Sequence, residues 1–405
     1  MGGSSLKALI KDALNHSRVE KGRTYVREPG RARIVVVGTG GAGNNTVNRL
    51  MTIGIQGAEC IAVNTDKQHL DSVKAHRKIL IGENLTKGLG AGGFPEIGAA
   101  AAEESRDILT EVLYDTDLVF ITYGLGGGTG TGSGPIIAEI AKENGAIVVG
   151  VVTMPFKVER ARVKKAKEGL RKLIKKADTV VVIDNNRLLE IAPDLPIDEA
   201  FSVADEILAN MVKGITETIA LPSLINLDYA DVRAIMSNGE VAIVGLGESS
   251  GHDRAREAVM DALQSPLLDI DITGAKGALI HVSGGPDMSL REAARCAEIV
   301  VEKMDPNAQV IWGARVDPHL EDLLRVILIV TGVKSPHLLG PNDGNNLELF
   351  EEEFGELEED SYPGISRKTE IKSFDDVRAL LDGKKLSFTV KDGKLDLKKL
   401  VEPLD

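Results

Sequence analysis

The chain has 405 residues, enough for two domains, and 43% of them are hydrophobic, so it can bury a sizeable core. The net charge of −13 argues against a nucleic-acid-binding protein, which normally has a basic face. It also argues against direct binding to an anionic membrane surface and against membrane insertion. No apolar run is long enough to span a membrane, and the N-terminus lacks an apolar signal core. The two cysteines, Cys60 and Cys296, predict buried free thiols in a reducing compartment, so we expect a cytoplasmic protein.

The first half of the chain alternates apolar strands with helices. Because the strands are apolar throughout, they predict a doubly wound, mostly parallel sheet covered on both faces. We expect strands at 33–37, 60–63, 118–122, 146–153 and 179–183, and helices at about 45–53, 99–113, 135–144 and 158–176.

A single helical pattern then runs from Ile197 to Ala220 and stops before Pro222. Beyond it, strands at 241–245, 278–283, 309–314 and 326–332, with helices at 254–263 and 289–304, predict a second, smaller α/β domain.

The end of the chain has a different character. Residues 348–360 are acidic and nearly featureless, which predicts a solvated, mobile linker. An Asp-Gly pair at 392–393, between two alternating segments, predicts a hairpin. The expected organisation is therefore an N-terminal helical extension (1–30), the doubly wound domain (31–197), a central helix (198–221), the second domain (222–335), an acidic flexible linker (336–370) and a tail element (371–405).

The first glycine-rich loop is ambiguous. Residues 38–43 fit G-x-G-x-x-G between a strand and a helix, where glycines let a phosphate approach and the helix N-terminus offers free N–H groups. Asp66, at the end of the next strand, lies where dinucleotide-binding proteins hold a ribose. This loop therefore fits a nicotinamide- or flavin-dependent oxidoreductase as well as a nucleotide hydrolase, or a glycine turn without a ligand.

A second glycine-rich loop, at 124–133, has six glycines in ten residues and carries threonines between them. Exposed N–H groups and hydroxyls suit a di- or triphosphate, although the G-K-[ST] of a Walker A loop is absent. Since a dehydrogenase needs one such loop, two of them at neighbouring strand ends predict a longer phosphate chain held from two sides.

These motifs resemble the tubulin/FtsZ family: 126–133 is similar to its signature loop and 40–45 to its first phosphate loop. The resemblance spans about 31–335 and implies the tubulin/FtsZ-like α/β fold with GTP or GDP as ligand. It also implies nucleotide contacts from Gly40, Gly41, Ala42, Gly43, Asn44, Asn45, Asp66, Ala91, Gly92, Gly93, Gly127, Gly128, Thr129, Gly130, Thr131, Gly132 and Pro155.

The resemblance also implies which residues hold the ribose and base. Glu159 and Arg162 follow a Thr-x-Pro-Phe segment, with a gap of three residues where the family has four, so Arg160 is an alternative. Asn185 corresponds to the purine-contacting asparagine, although Asp184 replaces the proline usual before it.

Two residues of the long helix are implied in guanine recognition. Phe201 and Asp205 are four apart and share one helix face. In the family this pair stacks on guanine and accepts its N1 and N2 hydrogens. Without the resemblance, Phe201 would be a core residue and Asp205 a solvated one.

An acidic motif follows the long helix, with Asn226, Asp228 and Asp231 in the family's N-x-D-x-x-D pattern. From spacing alone, the simpler interpretation of Asp228 is an N-cap. The resemblance implies that this loop enters the site of the next subunit and orients the attacking water there, with Mg²⁺ held by the phosphates and water and K⁺ as a further candidate ion.

The expected partner is therefore a second copy of the chain, in head-to-tail filaments at the mid-cell division site. By the same resemblance, the tail recruits division proteins and membrane anchors, and the N-terminal extension and tail are similar to those of archaeal members. A member that binds GTP without hydrolysing it, and regulates other filaments, is the remaining alternative.

Overall fold

A computed structural model describes residues 32–186, 197–220, 242–263, 272–318 and 320–333, Arg233, and the segments 338–339, 344–354, 387–391 and 394–398. All of them belong to one compact unit, Ala32–Asp405. The predicted N-terminal extension lies outside the described residues.

The strands and helices are numbered here in chain order. The strands are β1 (Ile34–Thr39), β2 (Ala58–Asn64), β3 (Arg77–Leu80), β4 (Leu118–Gly124), β5 (Ile147–Met154), β6 (Thr179–Asp184), β7 (Ala242–Ser249), β8 (Gly277–Gly284), β9 (Gln309–Val316), β10 (Leu324–Thr331), β11 (Leu338–Leu339), β12 (Ser387–Lys391) and β13 (Lys394–Lys398). The helices are α1 (Gly40–Ile53), α2 (Lys67–Ser72), α3 (Glu83–Thr86), α4 (Pro95–Glu104), α5 (Arg106–Leu113), α6 (Thr129–Glu143), α7 (Arg160–Ile174), α8 (Ile197–Ala220), α9 (Arg254–Leu263), α10 (Leu290–Val301) and α11 (Gly344–Phe354).

The larger sheet has the strand order β11-β6-β5-β4-β1-β2-β3. Its six strands from β6 to β3 are parallel, and β11 adds an antiparallel edge strand to β6. Strands β1 and β6 are buried along their whole length, as expected for a sheet covered on both faces. The predicted doubly wound sheet is confirmed.

Alternate residues of each strand enter two hydrophobic cores. Val36 points into a core shared with α1 and α8, and Val37 into a core shared with α4 to α7. The first core continues through Val212 and Ile215 of α8 to the second sheet. The predicted long helix, Ile197–Ala220, therefore joins the packing of both sheets.

The smaller sheet has the order β7-β10-β8-β9, with β8 and β9 parallel and the other pairs antiparallel. Helix α9 has the predicted limits. Helix α10 begins with a capping box, in which the Ser289 side chain accepts from the Glu292 backbone N–H and the Glu292 side chain accepts in return. The second, smaller α/β domain is confirmed as a fold; the exact domain limits stay a prediction.

Two helices begin earlier than the sequence predicts. Helix α1 begins at Gly40 and α6 at Thr129, inside the two glycine-rich loops, and Pro135 lies within α6. Glycine has low helix propensity, so these turns form because they pack against neighbouring elements. The single helix predicted at 99–113 is wrong, because Ser105 leaves helical geometry and separates α4 from α5.

The tail differs most from expectation. Residues 344–354 form α11 instead of part of a featureless acidic linker, because Leu347 and Phe350 share one face and Phe350 is completely buried in the core under α4 to α7. The predicted hairpin strands β12 and β13 are present and pair antiparallel; the turn between them, and residues 355–386, lie outside the described residues.

Both cysteines are buried free thiols, as predicted, and burial raises the pKa of each to about 12. Neither thiol is therefore ionised near neutral pH. Across the described part of the chain, we find no helix long and apolar enough to span a membrane.

Candidate functional site

The loops predicted to bind a nucleotide lie at one edge of the larger sheet. They follow the carboxyl ends of β1, β2, β4, β5 and β6, which are neighbours in the sheet. Ligands of open α/β sheets bind in the crevice outside these strand ends. The topology alone therefore brings both glycine-rich loops to one place.

The two glycine-rich loops contact each other directly. A Cβ on Gly40 would lie 2.8 Å from the backbone nitrogen of Gly130, and Gly40 has a φ of +71°, so only glycine fits there. The Thr65 and Thr129 hydroxyls are 2.7 Å apart, which ties the loop after β2 to the second glycine-rich loop. The loops form one continuous surface.

Two helix N-termini open onto this surface. Helices α1 and α6 both begin within glycine-rich loops, so their first N–H groups and positive dipole ends point toward the same edge. Gly41, Ala42 and Asn45 are exposed, and nothing lies within 4 Å of the Cβ position of Gly41. The backbone at Gly41 is open to a close approach by an anion.

The second glycine-rich loop has two structural parts, a loop and the start of a helix. Residues 124–128 form the loop itself, whereas 129–133 are the first turns of α6. Gly130, Thr131 and Gly132 are buried, and a Cβ on Gly132 would lie 2.0 Å from the Pro95 carbonyl oxygen. The glycine at 132 therefore serves close packing of α6 against α4, where the sequence predicted ligand contact alone.

The loop at 90–93 closes one side of the site. Gly90 donates its N–H to the Thr65 carbonyl at 3.1 Å, and a Cβ on Gly128 would lie 2.9 Å from that of Ala91. Lys165 of α7 donates to the Gly93 carbonyl at 2.8 Å and lies over the Phe94 ring. Sequence reasoning missed Lys165, because nothing in a basic helix distinguishes one lysine from its neighbours.

Asn44 and Asp66 have structural partners. Asn44 is fully buried, and with its amide in the orientation that satisfies its neighbours it donates to the Gly38 carbonyl at 2.8 Å and the Val63 carbonyl at 3.2 Å. Asp66 caps α2 by accepting from the His69 N–H at 3.0 Å. Both residues hold the ends of β1 and β2 in place.

Glu159 and Arg162 interact with each other at the start of α7. Their side chains form an ion pair of 2.5 Å, and Glu159 also accepts from the Phe156 N–H at 3.1 Å. Pro155 is buried, and Arg160 is exposed beside them. Glu159 is the N-cap of α7 and Arg162 lies in its first turn, directly after the loop that follows β5. Their contact with a nucleotide stays a prediction.

Two side chains with hydrogen-bond acceptors lie at this end of the site: the Asn185 amide, directly after β6, and the Asp205 carboxylate on α8. Asn185 is 9% exposed, and its buried Oδ1 atom has no hydrogen-bond partner among the described residues. Asp205 accepts from the Thr46 hydroxyl at 3.2 Å, and burial raises the pKa of Asp205 to about 6, against the opposing effects of Thr46 and Arg49. Sequence reasoning did not identify Thr46.

The other predicted residues are placed only in part. Phe201 lies on α8 one turn before Asp205, and its side chain is not described. Asn226, Asp228 and Asp231 lie outside the described residues. In the part of the chain that is described, no three His, Cys, Asp or Glu side chains cluster as metal ligands.

Comparison with known proteins identifies the family. The family model described as "Tubulin/FtsZ family, GTPase domain" matches residues 33–193, and "FtsZ family, C-terminal domain" matches 240–334. Cell division protein FtsZ 2 of Methanocaldococcus jannaschii is 62% identical over 335 residues, covering 82% of this chain and 88% of that protein. Cell division protein FtsZ 1 of Thermococcus kodakarensis is 52% identical over 367 residues, covering 90% and 94%.

A solved structure, "FtsZ dimer, empty (M. jannaschii)", matches with a TM-score of 0.70 at 52% identity, covering 80% of this chain and 92% of that chain. The two family-model matches contain the larger sheet from β1 to β6 and all of the smaller sheet. The chain belongs to the FtsZ family of tubulin-like GTPases.

Proposed function

We propose that this chain binds GTP at the carboxyl edge of the larger sheet, hydrolyses it to GDP and phosphate where two subunits meet, and polymerises head-to-tail into filaments of the cell-division ring. The observation that carries the proposal is the direct contact between the two glycine-rich loops at Gly40 and Gly130. The Thr65 and Thr129 hydroxyls extend this surface to the loop after β2. Two such loops suit a chain of phosphates better than the single pyrophosphate of a dinucleotide.

The residues present fit a guanine nucleotide. Open space at Gly41 and at Gly93 leaves room for phosphate oxygens near backbone N–H groups. The unpartnered Oδ1 of Asn185 offers a buried acceptor for a base N–H. Asp205 offers a second acceptor on α8, which a guanine edge with two donors satisfies and an adenine edge does not.

Hydrolysis is assigned to Asn226, Asp228 and Asp231 of a neighbouring subunit. These side chains would orient the attacking water. Mg²⁺ bound with the nucleotide would supply positive charge near the phosphates, and K⁺ is the candidate second ion. The M. jannaschii FtsZ structure described as a dimer supports contact between subunits. The tail would connect filaments to division proteins and membrane anchors at mid-cell.

A shared site makes the rate depend on assembly. We expect the GTPase rate per subunit to rise steeply above a threshold protein concentration, at which the protein also begins to pellet. Phosphate release and pelleting, measured on the same dilution series, check this. A rate per subunit that stays constant across the threshold would contradict hydrolysis between subunits, while leaving GTP binding untouched.

GTP affinity should depend on the ionisation of Asp205. The ionised carboxylate accepts guanine hydrogens, whereas the protonated form cannot accept both. Because its pKa is raised to about 6, the ionised fraction and therefore the affinity should fall about tenfold as the pH is lowered from about 7 to about 5. Fluorescent-nucleotide titrations at several pH values measure this.

Asp205→Asn is the control for this pH dependence, since it leaves only the titration of the nucleotide itself. We expect the variant to bind GTP more weakly at neutral pH and to show a flatter pH profile. If the GTP affinities of the parent and of Asp205→Asn depend on pH to the same extent, Asp205 does not take part in guanine recognition.

A further inference from the structure

Helix α7 carries a basic stripe that the proposed function does not use. Its members follow the spacing i, i+4, i+7, i+11 and i+15, which places them on one side of the helix. The stripe consists of Arg160, Lys164, Lys167, Arg171 and Lys175. Glu168, the one acidic residue within α7, lies off the stripe and pairs with Lys172 at 3.0 Å.

The charges of the stripe are only partly balanced by the described residues. Lys164 and Lys167 have interaction partners. For Arg160, Arg171 and Lys175, the described part of the chain provides no ion pair. The stripe is a local concentration of positive charge on a protein with a net charge of −13. Such a surface attracts acidic groups, so we expect an acidic ligand there.

The same chain has an acidic segment that is about as long in sequence as the stripe. Residues 348–360 contain eight acidic residues and no basic one. Helix α11 forms the first part of this segment, and Glu348 and Glu352 are exposed on it. Acidic residues then continue through Glu356, Glu358 and Glu359 to Asp360.

Packing places the start of the acidic segment on the sheet face that α7 covers. Phe350 is fully buried in the hydrophobic core that also contains Ala166, Leu170 and Leu173, the residues on the buried side of α7. Strand β11, just before α11, pairs with β6, the strand that directly follows α7 in the chain. The described start of the acidic segment therefore lies on the same face of the larger sheet as α7.

We propose that the acidic residues 356–360 bind the basic stripe of α7 within the same chain. Charge complementarity and the anchor at Phe350 select this occupant over a separate acidic partner, because the segment is covalently held near the stripe and so at high effective concentration. The contact fixes where the tail leaves the subunit, on the side of the sheet covered by α7. Its electrostatic character makes it sensitive to salt.

Carbodiimide cross-linking of the full chain tests the contact, with equal amounts of ¹⁴N- and ¹⁵N-labelled protein mixed before reaction and no added nucleotide. We expect cross-links from Lys164, Lys167 and Lys175 to carboxylates at 356–360, within one isotopic form only. The yield should fall several-fold between about 0.05 and 0.5 M salt, as screening of exposed charges predicts.

The double variant Arg171→Glu/Lys175→Glu should lose most of the remaining Lys164 and Lys167 cross-links. Arg291→Glu/Lys303→Glu, the same charge change at exposed positions on or next to α10, should keep them. Cross-links between isotopic forms would make a second copy the occupant and overturn the proposal. The absence of any cross-link between the stripe and residues 356–360 would overturn it as well. If the parent binds phosphatidylglycerol vesicles and the double variant does not, without cross-links in the parent, the stripe is a lipid-binding surface and the proposal is wrong.

Discussion

The variant Asp228→Ala is expected to bind GTP with unchanged affinity and to lose turnover by about 10²- to 10⁴-fold, the range typical for removing a group that positions or deprotonates an attacking nucleophile. Binding is retained because the proposed nucleotide contacts come from the loops of the larger sheet and from α8, and Asp228 belongs to neither. Fluorescent-nucleotide affinity and phosphate release, both measured above the assembly threshold, check the two halves of this prediction.

Asp107→Ala is a matched control, because Asp107 is an exposed aspartate in the first turn of α5. We expect its turnover to stay within about twofold of the parent. Turnover near the parent value in Asp228→Ala would show that another group orients the water. Loss of GTP binding in Asp228→Ala would show that Asp228 supports its own subunit instead of the next one.

Gly132→Ala is expected to destabilise the protein strongly. The new Cβ would lie 2.0 Å from the Pro95 carbonyl oxygen and 2.5 Å from the Ala99 nitrogen, and both are backbone atoms that cannot rotate away. Overpacking a core typically lowers the free energy of unfolding by about 1–3 kcal/mol. Because this clash is with backbone atoms, we expect a loss at or above the upper end of that range. Separation of α6 from α4 should also weaken GTP binding. Chemical denaturation and nucleotide titration measure the two effects.

Gly41→Ala provides the comparison within the first glycine-rich loop. Its Cβ has nothing within 4 Å, and its φ is in the ordinary range, so the free energy of unfolding should change by less than about 0.5 kcal/mol. A similar loss of stability in Gly41→Ala and Gly132→Ala would mean that the packing of α6 against α4 is not what requires Gly132.

The strands and the long helix could be predicted from sequence because their patterns are local. Strand β5 is a run of apolar residues, and α8 follows a helical period that ends before Pro222. The glycine-rich loops could be placed at one sheet edge by the same reasoning, since parallel strands end on the same side.

Long-range packing accounts for what sequence reasoning missed. The start of α6 at Thr129 depends on α4, and the burial of Phe350 depends on a core built from residues far earlier in the chain. Neither partner is visible in a local window. Sequence reasoning therefore predicts a linker for an acidic segment whose first part forms α11, although Leu347 and Phe350 have helical spacing.

Contacts inside the site show the same limit. Lys165 and Thr46 meet Gly93 and Asp205 through folding alone, and no motif marks them. Asn44 matched a phosphate-loop position, yet its side chain is buried between the ends of β1 and β2. A motif identifies a loop, whereas the fold decides which of its atoms face a ligand.

The antiparallel pairing of β11 with β6 has a consequence for synthesis of the chain. Strand β6 forms one edge of the parallel sheet, and its partner emerges from the ribosome only after the whole smaller sheet has been made. Until then the outer hydrogen-bonding groups of β6 are open to pairing with another nascent chain. A fragment that stops before residue 338 keeps that edge open permanently, so the larger sheet is completed by residues that are translated after the smaller one.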